Sequence, residues 1–513
     1  MTIRTNGKHH NRRSLGAQIA SLAVAVSLAC GTALAVDVPQ LPLQSGLGVP
    51  PNIMLVVDNS GSMDSEILFP NNDGALWWNT SVSDVGAQSF YGAGRNGTVG
   101  FNYNAAGGAN ATWQKYNYLF PNGGGLGNRI YTDDNDDHFA VPPLPEFAFA
   151  RSSDYNAQYY NPAINYEPWP SRGTTVFADA NATAVKSDPV SGTGTFNLTA
   201  DLFSTTANWL FRVQSGMRSS AATNVRAVVE SSVAFSYFPA TYYQKNTTAS
   251  VTLGGVTYQC GTPDPLAYQA YATNPTLAVL PAGVDAIAPD GGCLTRYEVK
   301  SGVTFPSGRN FADEQQNFAN WFQYHRKRHL ALRAGMGEAF ADLGGFRTGM
   351  TPINNRPDNI AMYDFDAQRA QVYDAMYGIG GNGGGTPNRE ALKFAGDQYN
   401  RNGAANSATA PIVTHVCQKN FVLQFTDGFS FPDTSNNVGG VDNTRGVPYA
   451  DAYSNTIADI AMRNYLRIRP DLAGGQVPVP AGCSAANPDP QLDCNPNPHI
   501  NHYSITLGAQ GNI

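Results

Sequence analysis

Residues 50–63 read Pro50-Pro51-Asn52-Ile53-Met54-Leu55-Val56-Val57-Asp58-Asn59-Ser60-Gly61-Ser62-Met63. The unbroken apolar run from Ile53 to Val57 has the pattern of a parallel strand buried on both faces, since no polar residue alternates with the apolar ones. It ends on an aspartate, and Asn59, Ser60 and Gly61 then turn the chain. In an open α/β sheet, ligands bind just beyond the carboxyl ends of the strands. The run therefore delivers Asp58, Ser60 and Ser62 to the place where such a fold binds things. A carboxylate and two hydroxyls are hard oxygen ligands, suited to Mg²⁺, Mn²⁺ or Ca²⁺ and poor for soft metals. One charge among neutral groups under-neutralises such a cation and leaves it open to a carboxylate from a partner. The alternative is that Asp58 and Ser60 only cap the next turn or helix. Other strand-end aspartate chemistries need different residues: a D-x-D-x-T phosphatase needs Asp where Ser60 stands, and an aspartic-protease D-T/S-G has no room for Asn59.

Two later stretches extend the pattern. A glycine-rich loop, Gly378 to Gly385, ends in Thr386-Pro387-Asn388-Arg389-Glu390. Thr followed by Pro predicts a helix start, with Thr386 as N-cap and Pro387 at the first helical position. No G-K-[ST] follows the glycines, which argues against a phosphate cradle. Asn420-Phe421-Val422-Leu423-Gln424-Phe425-Thr426-Asp427-Gly428 repeats the opening theme, an apolar strand ending on aspartate. Together, D-x-S-x-S, G-G-T-P and T-D-G resemble the three loops of the metal-ion-dependent adhesion site in von Willebrand factor A domains. The resemblance implies an α/β, doubly wound, Rossmann-like sheet. It also implies one divalent site, with Ser60, Ser62 and Thr386 touching the ion and Asp58 and Asp427 binding it or holding its waters.

Between the first strand and the rest lies an excursion, residues 69–308, rich in Gly, Asn, Tyr, Thr and Pro. It shows short β-like runs and no helical periodicity, so we expect a large β-rich insertion after the first strand. Closing a long loop costs only a few kcal/mol, because the entropy grows with the logarithm of length. Its aromatic residues (Trp77, Trp78, Trp113, Trp169, Tyr159, Tyr160) argue for packing of its own. Asp133 to Asp137 starts like a calcium loop, but His138 stands where Gly is needed and Leu144 where Glu is needed, so a solvated acidic turn is expected. The strings 159–169 and 237–243 are aromatic-proline turns. With Glu314-Gln315-Gln316-Asn317-Phe318-Ala319-Asn320-Trp321-Phe322, they resemble type IV pilus tip-associated adhesins, the PilY family.

Residues 313–343 carry apolar side chains at helical spacing on one face, from Phe318 to Phe340, with His325 and His329 on the same stripe. Arg326 stands where a zinc protease needs Glu, so core histidines are expected, with Arg326-Lys327-Arg328 as a solvated edge. Short strands follow near 347–350 and 359–363, then helices near 367–377 and 450–468, and a last strand at 503–507.

The chain has 513 residues, room for two or three domains, and a formal net charge of −7. Arg4, Lys8, Arg12 and Arg13, the apolar stretch 15–28 and Ala33-Leu34-Ala35 form a signal peptide over 1–35, so the mature chain is expected to be exported. Ser27 departs from a lipoprotein signal before Cys30. No later run is long enough to span a membrane. An acidic chain without a basic stripe is a poor nucleic-acid binder. In an oxidising compartment, loop length pairs Cys260 with Cys293 and Cys483 with Cys494, leaving Cys417 over.

The expected organisation is a signal peptide (1–35), a linker (36–50) and the first strand and metal loop (51–68). The insertion (69–308) and the remainder of the A-like domain (309–513) follow. The PilY resemblance implies a protein at the type IV pilus tip, exported through the periplasm, with outer-membrane association as a further expectation. Its implied partners are minor pilins and host-cell or abiotic surface ligands, its implied roles adhesion and pilus biogenesis rather than enzymatic ones. Such proteins usually continue into a C-terminal propeller with a calcium loop. Nothing in the sequence matches one, so an N-terminal portion or a truncated product is expected. Two rivals stand beside this reading. One is a metal-dependent hydrolase, although His415, His499 and His502 fall in no spacing that fixes a metal or a nucleophile. The other is a load-bearing pilus component with incidental metal binding.

Overall fold

The computed structural model describes residues 48–507, except 70–73, 75, 80–91, 94–98, 101–112, 121–137, 142, 191–193, 205–211, 214–230, 233–234, 274–278, 382–383, 429, 431–432, 434–435, 447–448 and 487–490. The expected signal peptide, most of the linker, the Asp133–Asp137 turn and the side chains of Trp77, Trp78 and Trp113 lie outside the described residues.

The chain forms a mixed α/β structure built on one five-stranded sheet. Its strands are β1 (Asn52–Val57), β2 (Arg347–Pro352), β3 (Tyr363–Asp364), β4 (Asn420–Thr426) and β5 (Asn501–Thr506). Their spatial order is β3-β2-β1-β4-β5. β1 lies parallel to β2 and to β4, and β4 parallel to β5; only the short β3 is antiparallel. Met54 and Val56 join a core with Ala391, Leu392, Ala395, Tyr399 and Ile460. Leu55 and Val57 point to the opposite face and are buried as well. Covering a strand on both faces explains why Ile53–Val57 carries no polar residue.

The described helices of this region are α1 (Phe311–Tyr324), α2 (Arg328–Ala339), α3 (Arg369–Tyr377), α4 (Asn388–Tyr399) and α5 (Ile457–Leu466). None of the described helices is long and apolar enough to cross a membrane. The single helix expected over 313–343 is two. His325 caps α1, its backbone N–H bonding Trp321 O, and Lys327 is extended (φ −99°, ψ 155°). The break has an electrostatic reason. In an unbroken helix successive side chains splay by about 100°, so three consecutive cations could not reach acids gathered at one place. Arg326, Lys327 and Arg328 are not a solvated edge: all are buried, paired with Glu66 (2.6 Å), Asp64 (2.6 Å) and Asp427 (2.6 Å). His329 is buried against Asp64, whereas His325 is half-buried and meets Glu167 O through Nε2.

Smaller shifts follow. α4 begins at Asn388 with Pro387 at the cap position, so Thr386 precedes the cap rather than forming it. α5 is shorter than expected because its true start is Thr456, in a capping box with Asp459. The stretch expected to be a β-rich insertion is not free of helix: Pro265–Thr273 is helical, a segment whose apolar residues mark no clear face.

Between β1 and α1 the described chain makes small sheets of two or three strands. In one hairpin, Ser250–Leu253 pairs with Val256–Gln259 across Gly254 and Gly255, both at positive φ (56° and 82°) as a tight two-residue turn requires. The aromatic-proline strings pack on α1. Tyr159 meets Trp321 with ring centroids 4.9 Å apart, and Tyr160 meets Phe318 at 4.8 Å. The polar residues of α1 hold the same strings: Glu314 accepts from the Tyr160 and Tyr242 hydroxyls, Asn317 donates to Ile164 O, and Asn320 to Tyr166 O. The 314–322 string is thus a clamp, apolar and polar at once.

Cys260–Cys293 and Cys483–Cys494 are disulfides, with Cα atoms 5.2 and 5.4 Å apart, and Cys417 is free. Non-reducing peptide mapping should recover both bridges and a Cys417 thiol. A peptide joining Cys417 to any of the four would overturn the pairing.

Candidate functional site

Asp58 directly follows β1 and is buried, 1% exposed. Its Oδ1 accepts the Ser60 N–H (2.8 Å) and its Oδ2 the Thr426 hydroxyl (2.6 Å). Ser60 and Ser62 lie on the tight turn that follows, their Oγ atoms 3.1 Å apart. Ser62 donates to Asp427 Oδ1 at 2.8 Å, and Asp427 directly follows β4 next door. The β1–β4 pairing in register, Val57 opposite Phe425, is what brings these two strand ends together.

The second loop arrives by backbone. Gly61 N–H bonds Gly384 O at 3.0 Å. Asn59 Oδ1 accepts Asn354 N–H (2.9 Å), and Asn354 Nδ2 donates to Gly385 O (2.7 Å). The two asparagines thus tie the first and second loops across the end of β2. A side-chain relay then fixes α4 to β4: Gln424 Nε2 to Asn388 Oδ1 (2.9 Å), Asn388 Nδ2 to Thr426 Oγ1 (3.0 Å), and Thr426 on to Asp58. Gly428 lies at the meeting point, since a Cβ there would touch Ser62 Oγ and Thr386 Oγ1, each at 3.9 Å. All five residues singled out from the sequence, Asp58, Ser60, Ser62, Thr386 and Asp427, border this one place.

The electrostatics carry a signature. Burial, and then the nearby Asp427 carboxylate, push the Asp58 carboxyl up to about 6 against the hydrogen bonds from Ser60 and Thr426. Two buried carboxylates therefore oppose each other with one cation, Arg328, set against Asp427 Oδ2 at 2.6 Å. The donor set of hydroxyls and carboxylates suits a hard divalent ion. Among the described residues, no three His, Cys, Asp or Glu converge on one point. A cation here would rest on hydroxyl oxygens backed by two carboxylates.

Sequence reasoning missed Thr426, Asn388 and Arg328. The first two sit within motifs already singled out. Arg328 had a signal: Asp64 and Glu66 follow the first loop in an otherwise apolar stretch, and buried acids need cations. The histidines of the hydrolase alternative have other partners: His415 is exposed beside Thr414, His499 pairs with Asp493 (2.9 Å), and His502 meets Asn464.

Comparison with known proteins adds an independent finding. The chain is similar to the type IV pilus biogenesis factor PilY1 of Pseudomonas aeruginosa. It is 28% identical to that of strain PAK over 250 residues (42% of this chain, 20% of that protein), and 26% identical to that of strain UCBPP-PA14 over 220 residues (38% and 19%). The protein of strain PAO1 matches at 27% over 233 residues (38% and 20%). The chain spans about a fifth of the length of the curated relatives it matches. No family model matches the chain, and no solved structure matches it.

Proposed function

We propose that this chain is part of a PilY1-like type IV pilus factor whose three-loop site takes up one divalent cation and, through it, an acidic group of a partner or surface. The fold reading that goes with it is a von Willebrand factor A-like domain, split after β1 by an insertion over 69–308. Mg²⁺, Mn²⁺ and Ca²⁺ are the candidate ions, and minor pilins and host-cell or abiotic surfaces the candidate partners. The location that goes with this reading is exported and at the pilus tip; similarity to type IV pilus biogenesis factors and the expected signal peptide support it, and two disulfides agree with an oxidising compartment.

One observation carries the site reading. Five oxygen-bearing side chains from three distant segments are held at adjacent strand ends, and burial and the neighbouring Asp427 carboxylate push the Asp58 carboxyl up to about 6. A divalent ion among the hydroxyls supplies opposing positive charge. No observation favours the hydrolase alternative, and a load-bearing role would leave the convergence of hydroxyls unused.

Calorimetric titration of the whole chain with Mn²⁺, Mg²⁺ and Ca²⁺ tests the reading. We expect one bound ion per chain and a raised melting temperature on binding. Thr386→Ala should weaken binding by about tenfold, as loss of one group around a metal does. It should leave the fold intact, because the Thr386 hydroxyl does not cap α4. Absence of binding by all three ions would refute the site.

A further inference from the structure

The three consecutive cations at the start of α2 are neutralised by three acids, and one of those acids belongs to the site. Arg326 pairs with Glu66, Lys327 with Asp64 (which His329 also meets), and Arg328 with Asp427. The first two pairs balance each other out of the site's charge. The third does not stand apart. Arg328 is held by three bonds to two acceptors, through Nη1 to Asp427 Oδ2 at 2.6 Å and through Nε and Nη2 to Ile67 O at 3.0 and 2.6 Å. Its side chain is 2% exposed and that of Asp427 0%.

We propose that Arg328 is the charge-setting residue of the site. It keeps Asp427 out of a bound cation's inner shell and leaves a divalent ion with net positive charge for an acidic partner group. This inference rests on the cation reading given above. Each oxygen of Asp427 is engaged, Oδ2 by Arg328 and Oδ1 by the Ser62 hydroxyl, and each oxygen of Asp58 by Ser60 N–H and Thr426. Each carboxylate oxygen keeps a lone pair beside its hydrogen bond, but Asp427 could turn to the ion only by breaking its short, charge-assisted bond to Arg328 or by drawing that cation toward the ion. The hydroxyls of Ser60, Ser62 and Thr386 need give up nothing, since each has lone pairs to offer. The ion then sits on hydroxyls, with waters bridging to the carboxylates. The charges of Asp58, Asp427 and Arg328 sum to one negative, so a divalent ion keeps one positive. Without Arg328 the same ion would be fully neutralised, held harder and less able to draw in an anion.

Arg328→Gln tests this on the whole chain, with Mn²⁺ alone as the probe. A guanidinium within a few ångströms of a divalent ion weakens its binding by Coulomb repulsion. Its removal should therefore tighten Mn²⁺ affinity by about tenfold or more, even as the metal-free melting temperature falls. Arg328→Lys keeps the charge and should stay within about threefold of wild type. A merely structural arginine predicts the opposite, weaker Mn²⁺ binding in both variants, and that result or an unchanged affinity in Arg328→Gln would overturn the proposal. Proton relaxation of water by Mn²⁺ on the wild-type chain decides it independently, should the glutamine variant not fold. Three hydroxyl ligands leave about three exchangeable waters on a six-coordinate ion, whereas inner-shell carboxylates leave one or none and refute the inference. No Mn²⁺ binding by wild type or by either variant would instead sink the cation reading itself.

Discussion

Asp58→Asn should weaken divalent-cation binding by about a hundredfold and yet make the metal-free protein more stable at neutral pH. The carboxyl is buried, and burial and Asp427 raise it from 3.8 to about 6. A shift of about two units corresponds to about 3 kcal/mol between the charged and neutral forms. The folded state holds the proton more tightly than the unfolded state does. The group's contribution is therefore fully present below pH 3.8 and is lost as pH rises through 6. At pH 7 the metal-free wild type bears that cost, while an asparagine does not. The Thr426 hydroxyl can turn to accept from the new amide, so the relay to Asn388 survives. Denaturant melts in EDTA should show the variant ahead by up to about 3 kcal/mol at pH 7, with the gap closing by pH 4. Cation affinity should fall by about a hundredfold or more, the upper end for lost groups around a metal. A variant that binds Mn²⁺ like wild type would refute the assignment of Asp58.

Glu66→Ala should cost about 3–5 kcal/mol, a large part of the stability of any domain. Glu66 is fully buried, and it does two things. Its Oε1 neutralises Arg326 (2.6 Å), and its Oε2 accepts the N–H groups of Leu119 (2.7 Å) and Phe120 (3.0 Å). Truncation strands a buried guanidinium and two backbone donors together. Arg326 also lies 3.9 Å from the Phe322 ring centroid and donates to Phe322 O, so it cannot swing out to water without disturbing α1. Removing both charges is the control. Glu66→Ala with Arg326→Met should recover more than half of the loss, because the uncompensated charge is gone. A Glu66→Ala melt within about 1 kcal/mol of wild type would show that the pair carries little.

The sheet and the acidic and hydroxyl residues of the site are legible in the sequence because each is written locally. Ile53–Val57 and Phe421–Phe425 are continuous apolar runs, and Asp58 and Asp427 follow them directly. What is not legible depends on partners far along the chain. Nothing near Arg326-Lys327-Arg328 shows that Asp64, Glu66 and Asp427 wait for them more than ninety residues away. Without those acids, a basic run within an amphipathic pattern reads as a helix edge, and the break at His325–Lys327 disappears from view. The Thr386-Pro387 pair misleads for a related reason: it is a local helix-start signal, but the hydroxyl stands at the junction with Gly428 and Ser62. The clamp formed by Glu314, Asn317 and Asn320 is equally silent, since its partners lie in strings 72 to 154 residues before it.

The pairing of β1 with β2 has a consequence for synthesis. Asn52 sits opposite Arg347, and Asn59 meets Asn354, a separation of 295 residues. At about 5–20 residues per second, the ribosome needs about 15–60 s to reach β2 after β1 emerges. For that interval β1 has neither neighbour, and Ile53–Val57 is the kind of short, uncharged, β-prone segment that pairs with other chains. The wait ends late, because contacts so distant are made only after local ones have shortened the loop between them. The Asp64–Lys327 and Glu66–Arg326 pairs cannot form before α1 and the start of α2 are made. Nascent chains cut short before residue 311 should therefore depend on a holding chaperone, and chains extended past β4 should not.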